Sequence, residues 1–280
     1  MNKQILRRDQ RKTSNQLRDM QVELGVLGKA DGSVKFSQGN TTVICSVCGP
    51  ESSMKEKGDQ AIIDVMFQPR DKKASEEEKE YELIIRQTLE NVILTNIYPR
   101  TVITISIQVV QYDGCLLSAS LNAASLALLD AGVAMKTTLV SSSCSYLNSG
   151  DCLLDPTRIE QDFSSILHND DSSSYIQYYK TSSKGPKVIV PKGFAFFVFD
   201  SAPLRNPSKT DSDDDSFLVT SITEGLLTDE ALRECISLAK EGALSVYSLI
   251  RLTLERKSTT PVLPTNKVVA SNNFIKPKDN

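Results

Sequence analysis

Cys45 and Cys48 stand in the C-x-x-C spacing used by zinc sites and by redox-active thiols. Their surroundings argue against both uses. The segment TTVICSVCG (41–49) reads as a buried strand, and on a strand residues three apart point to opposite faces. No second C-x-x-C follows, and a lone histidine, His168, leaves too few ligands for tetrahedral zinc. The pair is read as two small core residues, and neither a metal nor a cofactor is expected. A second candidate is the basic start of the chain. Residues 1–18 carry Lys3, Arg7, Arg8, Arg11, Lys12 and Arg18 against a single acid, Asp9. Such a segment is either a solvated tail or an arm that touches a partner or RNA.

Composition bounds what else the chain can be. It has 280 residues, 40% hydrophobic and 24% charged, with a net charge of −3. These are values of an ordinary globular protein. Nothing global marks a nucleic-acid binder, so any RNA contact must come from local patches. No apolar run approaches the roughly 18 residues of a membrane span. The first residues hold no apolar stretch of signal-peptide type, so an intracellular protein with reduced thiols is expected.

The elements that would position chemistry follow from periodicity. VELGVLGKADGSVKF reads as a hairpin with Asp31-Gly32 as the turn signal, and 41–49 and 61–67 read as strands. Over 76–97, Ile85, Leu89 and Val92 step by four and three, which predicts a helix that Pro99 ends. Residues 102–111 alternate as a strand. Residues 115–131 form an Ala- and Ser-rich helix followed by Gly132. Strands are expected at 138–147, 152–154, 174–180, 194–199 and 217–222. A polar, acidic loop spans 205–216. The longest helix is expected over 228–256, with an apolar stripe of Leu232, Ile236, Ala239, Ala243, Val246, Ile250 and Leu254. The division is a basic arm (1–18), one domain of mixed α/β layers, α+β in class (19–257), and a disordered tail (258–280).

Several segments resemble the RNase PH family. The family shows a D-G-S turn and then G-(N/D)-T before a strand; here these are Asp31-Gly32-Ser33 and Gly39-Asn40-Thr41. RRDQRKTSNQLR is similar to its entry segment. YPRTVITISIQVVQYDGCLLSASLNAASLALLDAGVAM, LLDPT (153–157) and TSITEG (220–225) are similar to one branch of it. The resemblance covers roughly residues 5–256 and implies an RNase PH-like domain of the ribosomal protein S5 domain 2-like type. Active members degrade RNA from its 3′ end by phosphorolysis. That reaction needs cations and hydroxyl or amide donors to hold phosphate beside an anionic backbone, and carboxylates to move a proton or hold a metal.

Placed on the family's pattern, this chain lacks those groups. Active members carry a Gly-Thr-Arg-Thr-like run at the start of the central helix, where a helix N-terminus favours an anion. Here that run is Cys115-Leu116-Leu117-Ser118, so Leu117 stands for the arginine and only the Ser118 hydroxyl remains. The Arg-Ser-Leu-Arg run of the preceding helix becomes Gln87-Thr88-Leu89-Glu90. Arg86 is adjacent but rotated by about 100°. Asp155 matches the family's first carboxylate, while Gln161 takes the place of the candidate acid, and an amide cannot donate that proton. Asp162 could substitute after a local shift. Asp155 also has a plain reading, as a turn former before Pro156.

The resemblance therefore implies a subunit without catalytic residues, in a ring of RNase PH-like proteins of the exosome-core kind. It would scaffold the ring and line the path of single-stranded RNA during 3′-to-5′ processing and turnover, including rRNA maturation. Partners implied are other RNase PH-like subunits, S1 and KH cap proteins and an associated hydrolytic nuclease, in nucleus, nucleolus and cytoplasm. Arg70, Lys72, Lys73 and Arg100 are nominated as RNA-facing, against the plain reading of solvated surface charge. The alternative is an active phosphorolytic exoribonuclease with relocated residues. A stand-alone nucleic-acid-binding module is the weaker third reading, because the chain has no tryptophan and is slightly acidic.

Overall fold

The computed structural model describes residues 7, 9–52, 58–69, 76–161, 177–180, 186–189, 191–201, 218–259 and 266–270. Arg70, Lys72, Lys73, Asp162, His168 and the acidic loop 205–216 lie outside them.

The strands are β1 (Met20–Leu24), β2 (Gly32–Gln38), β3 (Thr41–Ser52), β4 (Ile62–Gln68), β5 (Thr101–Gln111), β6 (Leu139–Leu147), β7 (Cys152–Leu154), β8 (Gln177–Lys180), β9 (Pro186–Ile189), β10 (Pro191–Asp200), β11 (Leu218–Gly225) and β12 (Asn266–Ala270). The helices are α1 (Glu76–Glu90), α2 (Leu116–Ala131), the single turn α3 (Arg158–Gln161) and α4 (Asp229–Thr259). A mixed sheet runs β12-β1-β2-β3-β5-β4, and an antiparallel sheet runs β11-β10-β6-β7. β4 and β5 pair in parallel and are joined through α1, as a parallel pair requires a crossover.

α2 is the centre of the molecule. It packs on β2 and β3 of the first sheet and on β6 of the second, and every residue from Leu116 to Leu128 is buried. A helix whose faces carry only apolar and small uncharged side chains can be covered all round. α4 covers the other side of the second sheet, against β6, β7 and β10. β6 is thus sandwiched between two helices, which explains the serine run LVSSSCSYL: small side chains let both helices approach. Gly242 marks the closest point, since a Cβ there would come within 2.8 Å of Ser142 Oγ.

The D-G-S motif does different work from the turn expected of it. Gly32 is the first residue of β2, and a Cβ on it would lie 2.3 Å from the Ala127 carbonyl and 2.4 Å from Ala131 N. The glycine lets β2 lie against α2. The reversal from β1 occurs earlier, at Gly28 and Lys29, where the Ala30 N–H turns back to Leu27 O at 3.4 Å. Asp31 Oδ2 accepts the Gly49 N–H at 2.8 Å, and Ser33 Oγ accepts the Leu27 N–H at 2.8 Å, so the flanking residues fasten the loop.

Other elements end where tertiary pairing wins. The expected helix 76–97 stops at Glu90. Beyond it, Leu94 N–H donates to Ala134 O and Lys136 N–H to Val92 O, so this stretch pairs with the segment after α2 instead of coiling on. On α4 the buried stripe is Ala231, Cys235, Ala239, Ala243, Val246, Leu249 and Ile250. Leu232, Ile236 and Leu254 flank it, half-buried. The tail expected over 258–280 is corrected in part: α4 continues to Thr259 and 266–270 form β12, an antiparallel partner for the β1 edge, Met20 opposite Ala270. An unpaired edge offers free backbone donors and acceptors, and this short strand satisfies them along β1.

Candidate functional site

The residues singled out in the family pattern converge on the N-terminus of α2 and the turn after β7. Gly39-Asn40 form the two-residue turn between β2 and β3, with glycine at the left-handed first position (φ +57°). Thr41 next to it donates from Oγ1 to Gly114 O at 2.8 Å and accepts the Asp113 N–H at 3.0 Å. The G-N-T motif thereby fixes the Asp113-Gly114-Cys115 loop that opens α2. Gly114 lies against the 156–158 backbone, with space for no Cβ: Pro156 O would be 2.5 Å away. Both sides of this junction are held in the left-handed region, Cys115 at φ +54° and Asp155 at φ +51°.

The arginines of the entry segment complete the junction, which corrects both readings of residues 1–18 for those side chains. Arg7, Arg11 and Arg18 are buried. Arg18 grips Asp155 with two prongs, Nη2 to Oδ1 at 2.6 Å and Nε to Oδ2 at 2.9 Å, and donates from Nη1 to Asp113 O at 2.6 Å. Its backbone N–H also donates to Asp155 Oδ2 at 2.8 Å. Arg7 grips Glu160, Nη2 to Oε2 at 2.6 Å and Nε to Oε1 at 3.1 Å, and donates to Leu154 O and Asp155 O. Arg11 donates to Asp155 O at 2.9 Å and pairs with Asp9 at 2.6 Å. Each of these three guanidiniums faces a carboxylate, so none of the three is left unpaired to hold phosphate. Buried charges persist only when paired and hydrogen-bonded in this way.

The titration of the two acids follows from that pairing. Burial opposes ionisation of Asp155, but the charge and hydrogen bonds of Arg18, with Arg11 behind them, outweigh it and hold the carboxyl well below the usual range. Glu160 is likewise desolvated, and the bonds and charge of Arg7 with the Thr157 N–H bring it below its ordinary value. Asp155 is 1% exposed. A buried carboxylate that stays ionised has no proton to give at neutral pH. It is neither a free catalytic group nor merely a turn former; it is the anion that anchors the entry segment.

The remaining positions of the pattern are buried, bonded elsewhere or scattered. Leu117 is buried at 6% exposure. Ser118 is buried, with its hydroxyl turned toward Ser141 Oγ at 3.4 Å. Gln161 accepts the Cys115 N–H through Oε1 at 3.0 Å, so a neutral amide occupies this backbone donor at the mouth of α2. Gln87 and Glu90 are exposed on α1 and form no hydrogen bond or ion pair with this junction, while Thr88 between them meets Thr220 of β11 at 3.1 Å. Arg86 pairs with Asp64 at 3.7 Å. Arg100 is exposed at φ +57°, just before β5. Outside the junction an open cleft of about 320 Å³ is lined by Asp9, Arg11, Gln16, Arg18, Asn40 and Asp113, a surface of both charge signs. Among the described residues no group of three or more His, Cys, Asp or Glu side chains is placed to hold a metal ion.

Sequence reasoning missed Arg7, Arg11, Arg18 and Glu160 as one cluster. The usable signal was two acids, Asp155 and Glu160, close behind the apolar run of β7. A charge there needs a counter-charge from elsewhere in the chain.

Comparison with known proteins gives a consistent picture. The family model described as "3′ exoribonuclease family, domain 1" of RNase PH type matches residues 16–134. The chain is 29% identical over 250 residues to the rice protein named "Exosome complex exonuclease RRP46 homolog", covering 87% of this chain and 94% of that one. It is 35% identical over 192 residues to the "Exosome complex component rrp46" of Schizosaccharomyces pombe, covering 65% and 82%. The crystal structure of rice Rrp46 superposes with a TM-score of 0.70 at 28% identity, over 89% of this chain and 100% of that one.

Proposed function

The chain belongs to the RNase PH family of 3′ exoribonucleases, and we propose that within it this protein is a non-catalytic subunit of an exosome core ring. Its work there is to supply ring interface and a stretch of wall along which single-stranded RNA passes toward an associated hydrolytic nuclease. Other RNase PH-like subunits would be its neighbours, with S1 and KH domain proteins as a cap, in nucleus, nucleolus and cytoplasm.

The observation that carries the loss of catalysis is the state of Asp155. Asp155, which matches the family's first carboxylate, is closed in by Arg18 and Arg11, and Gln161, in the place of the candidate acid, meets the Cys115 N–H with an amide. A phosphorolytic centre needs cations free to bind phosphate and an acid free to donate; this junction has spent both on folding. Arg70, Lys72, Lys73 and Arg100 are proposed as the side chains that meet RNA, through phosphate contacts that carry no sequence information.

The plant relatives' name "exonuclease" keeps one second reading in view, an active enzyme with relocated residues. The test is direct. Purified protein, alone and in a reconstituted ring, is incubated with 3′-labelled single-stranded RNA, phosphate and magnesium. No nucleoside diphosphate is expected from this chain. Release that persists when every other subunit is inactivated would overturn the proposal.

A further inference from the structure

Cys152 on β7 and Cys235 on α4 have their sulfurs 3.2 Å apart in the core, 83 residues apart in sequence, with Cys235 donating to Cys152. Both thiols are free and buried. That separation is shorter than an ordinary van der Waals contact between sulfurs, and closing it to a bond of about 2.05 Å needs an approach of only about 1 Å. Cys144 is the rival partner: it is buried on β6, and its thiol is aimed at the Cys235 carbonyl oxygen at 3.6 Å, not at that residue's sulfur.

We propose that Cys152 and Cys235 are an oxidisable pair, which a peroxide converts to a disulfide that fastens β7 to α4. One thiolate attacks a peroxide oxygen, forming a sulfenic acid and, with the departing proton, water. The second thiol then attacks that sulfur and expels hydroxide as a second water. Two thiols lose two electrons and two protons, and hydrogen peroxide becomes two waters.

The location gives the bond a consequence. β7 runs directly into Asp155, so a bridge there ties the arginine-held junction to the long helix. The reaction is slow in the folded state: the hydrogen bond with Cys235 and, after it, burial keep Cys152 protonated, and peroxide enters only when the first turns of α4 open. The same burial then shields the formed bridge from reductants, so the oxidised state persists once made.

The test uses the full chain treated with hydrogen peroxide, peptide mapping without reduction, and thermal melting. A Cys152–Cys235 cross-linked peptide is expected, lighter by two hydrogen atoms, with Cys45 and Cys115 still free. The melting midpoint should rise by roughly 5–15 °C, because the bridge closes a long loop. Cys152→Ala and Cys235→Ala should each abolish the rise, and Cys144→Ala should keep it. The proposal fails if the cross-link is absent, if it joins Cys144 to Cys235, if it forms only in denaturant, or if the bridged protein melts no higher than the reduced one.

Discussion

Arg18 and Asp155, 137 positions apart in the chain, form a two-pronged ion pair at 2.6 and 2.9 Å, and the Arg18 backbone N–H adds a third bond to the same carboxylate. The pair fastens the entry segment to the turn that follows β7 and, through the Asp113 carbonyl, to the loop that opens α2. Asp155 thus serves as a structural anchor between segments distant in sequence.

Removing one member of that pair should be costly. Arg18→Ala or Asp155→Asn leaves a buried charge or donor uncompensated, and a loss of about 3–5 kcal/mol is expected in urea unfolding. Combining the same two changes, Arg18→Ala with Asp155→Asn, should cost less than the sum of the single changes, because the pair's charges are then removed together. Additive losses would show that the two side chains do not act as a unit.

Acid should weaken the protein through the same groups. Asp155 and Glu160 are held below their unfolded values, near 3.9 and 4.3. Their stabilisation is therefore complete above those values and is lost as pH falls through the lower folded ones. Urea midpoints measured between pH 7 and 3 should be level down to about pH 5 and fall below it. Asp155→Asn should flatten part of that fall.

Restoring the missing arginine should not restore activity. Leu117 is buried at the start of α2, so Leu117→Arg forces a guanidinium into apolar packing and should cost about 2–5 kcal/mol. Leu117→Arg with Gln161→Asp should still release no nucleoside diphosphate, since the junction's arginines are already paired. Phosphate-dependent release by this double variant would contradict the spent-cluster reading.

The proposed RNA-facing residues are tested by salt dependence. In an assembled ring, changing Arg70, Lys72, Lys73 and Arg100 to Glu should lower RNA affinity. It should also flatten the plot of log affinity against log salt by up to about 3 units, at roughly 0.7 per lost phosphate contact. An assembled quadruple variant with unchanged affinity and slope would remove these residues from the RNA path.

Gly32 should resist even the smallest side chain. Gly32→Ala places a methyl 2.3 Å from the Ala127 carbonyl, and β2 must move off α2 to relieve it. A loss of about 1–3 kcal/mol is expected. By contrast, Gly25→Ala meets no neighbouring atom and is strained only by its φ of +68°.

What the sequence determined by itself is the set of elements with local causes. Ile85 and Leu89 lie on the buried face of α1 as their spacing demanded, and the Ala- and Ser-rich run 115–131 became the doubly covered α2. The absence of an arginine at Leu117 and of an acid at Gln161 was equally legible, because a missing functional group needs no fold to establish it. Tertiary structure alone decided where the charges went. Arg7, Arg11 and Arg18 read as surface because the segment offers them a single acid, Asp9, which pairs with Arg11, and the counter-charges at 155 and 160 arrive only when β7 docks beside the entry segment. It also decided that Gly32 makes room for a helix instead of making a turn, and that residues 266–270 pair with β1. Periodicity records which face of an element is apolar. It carries no record of which distant group satisfies a buried charge, a backbone edge or a two-ångström gap, since those are set by contacts that close long loops.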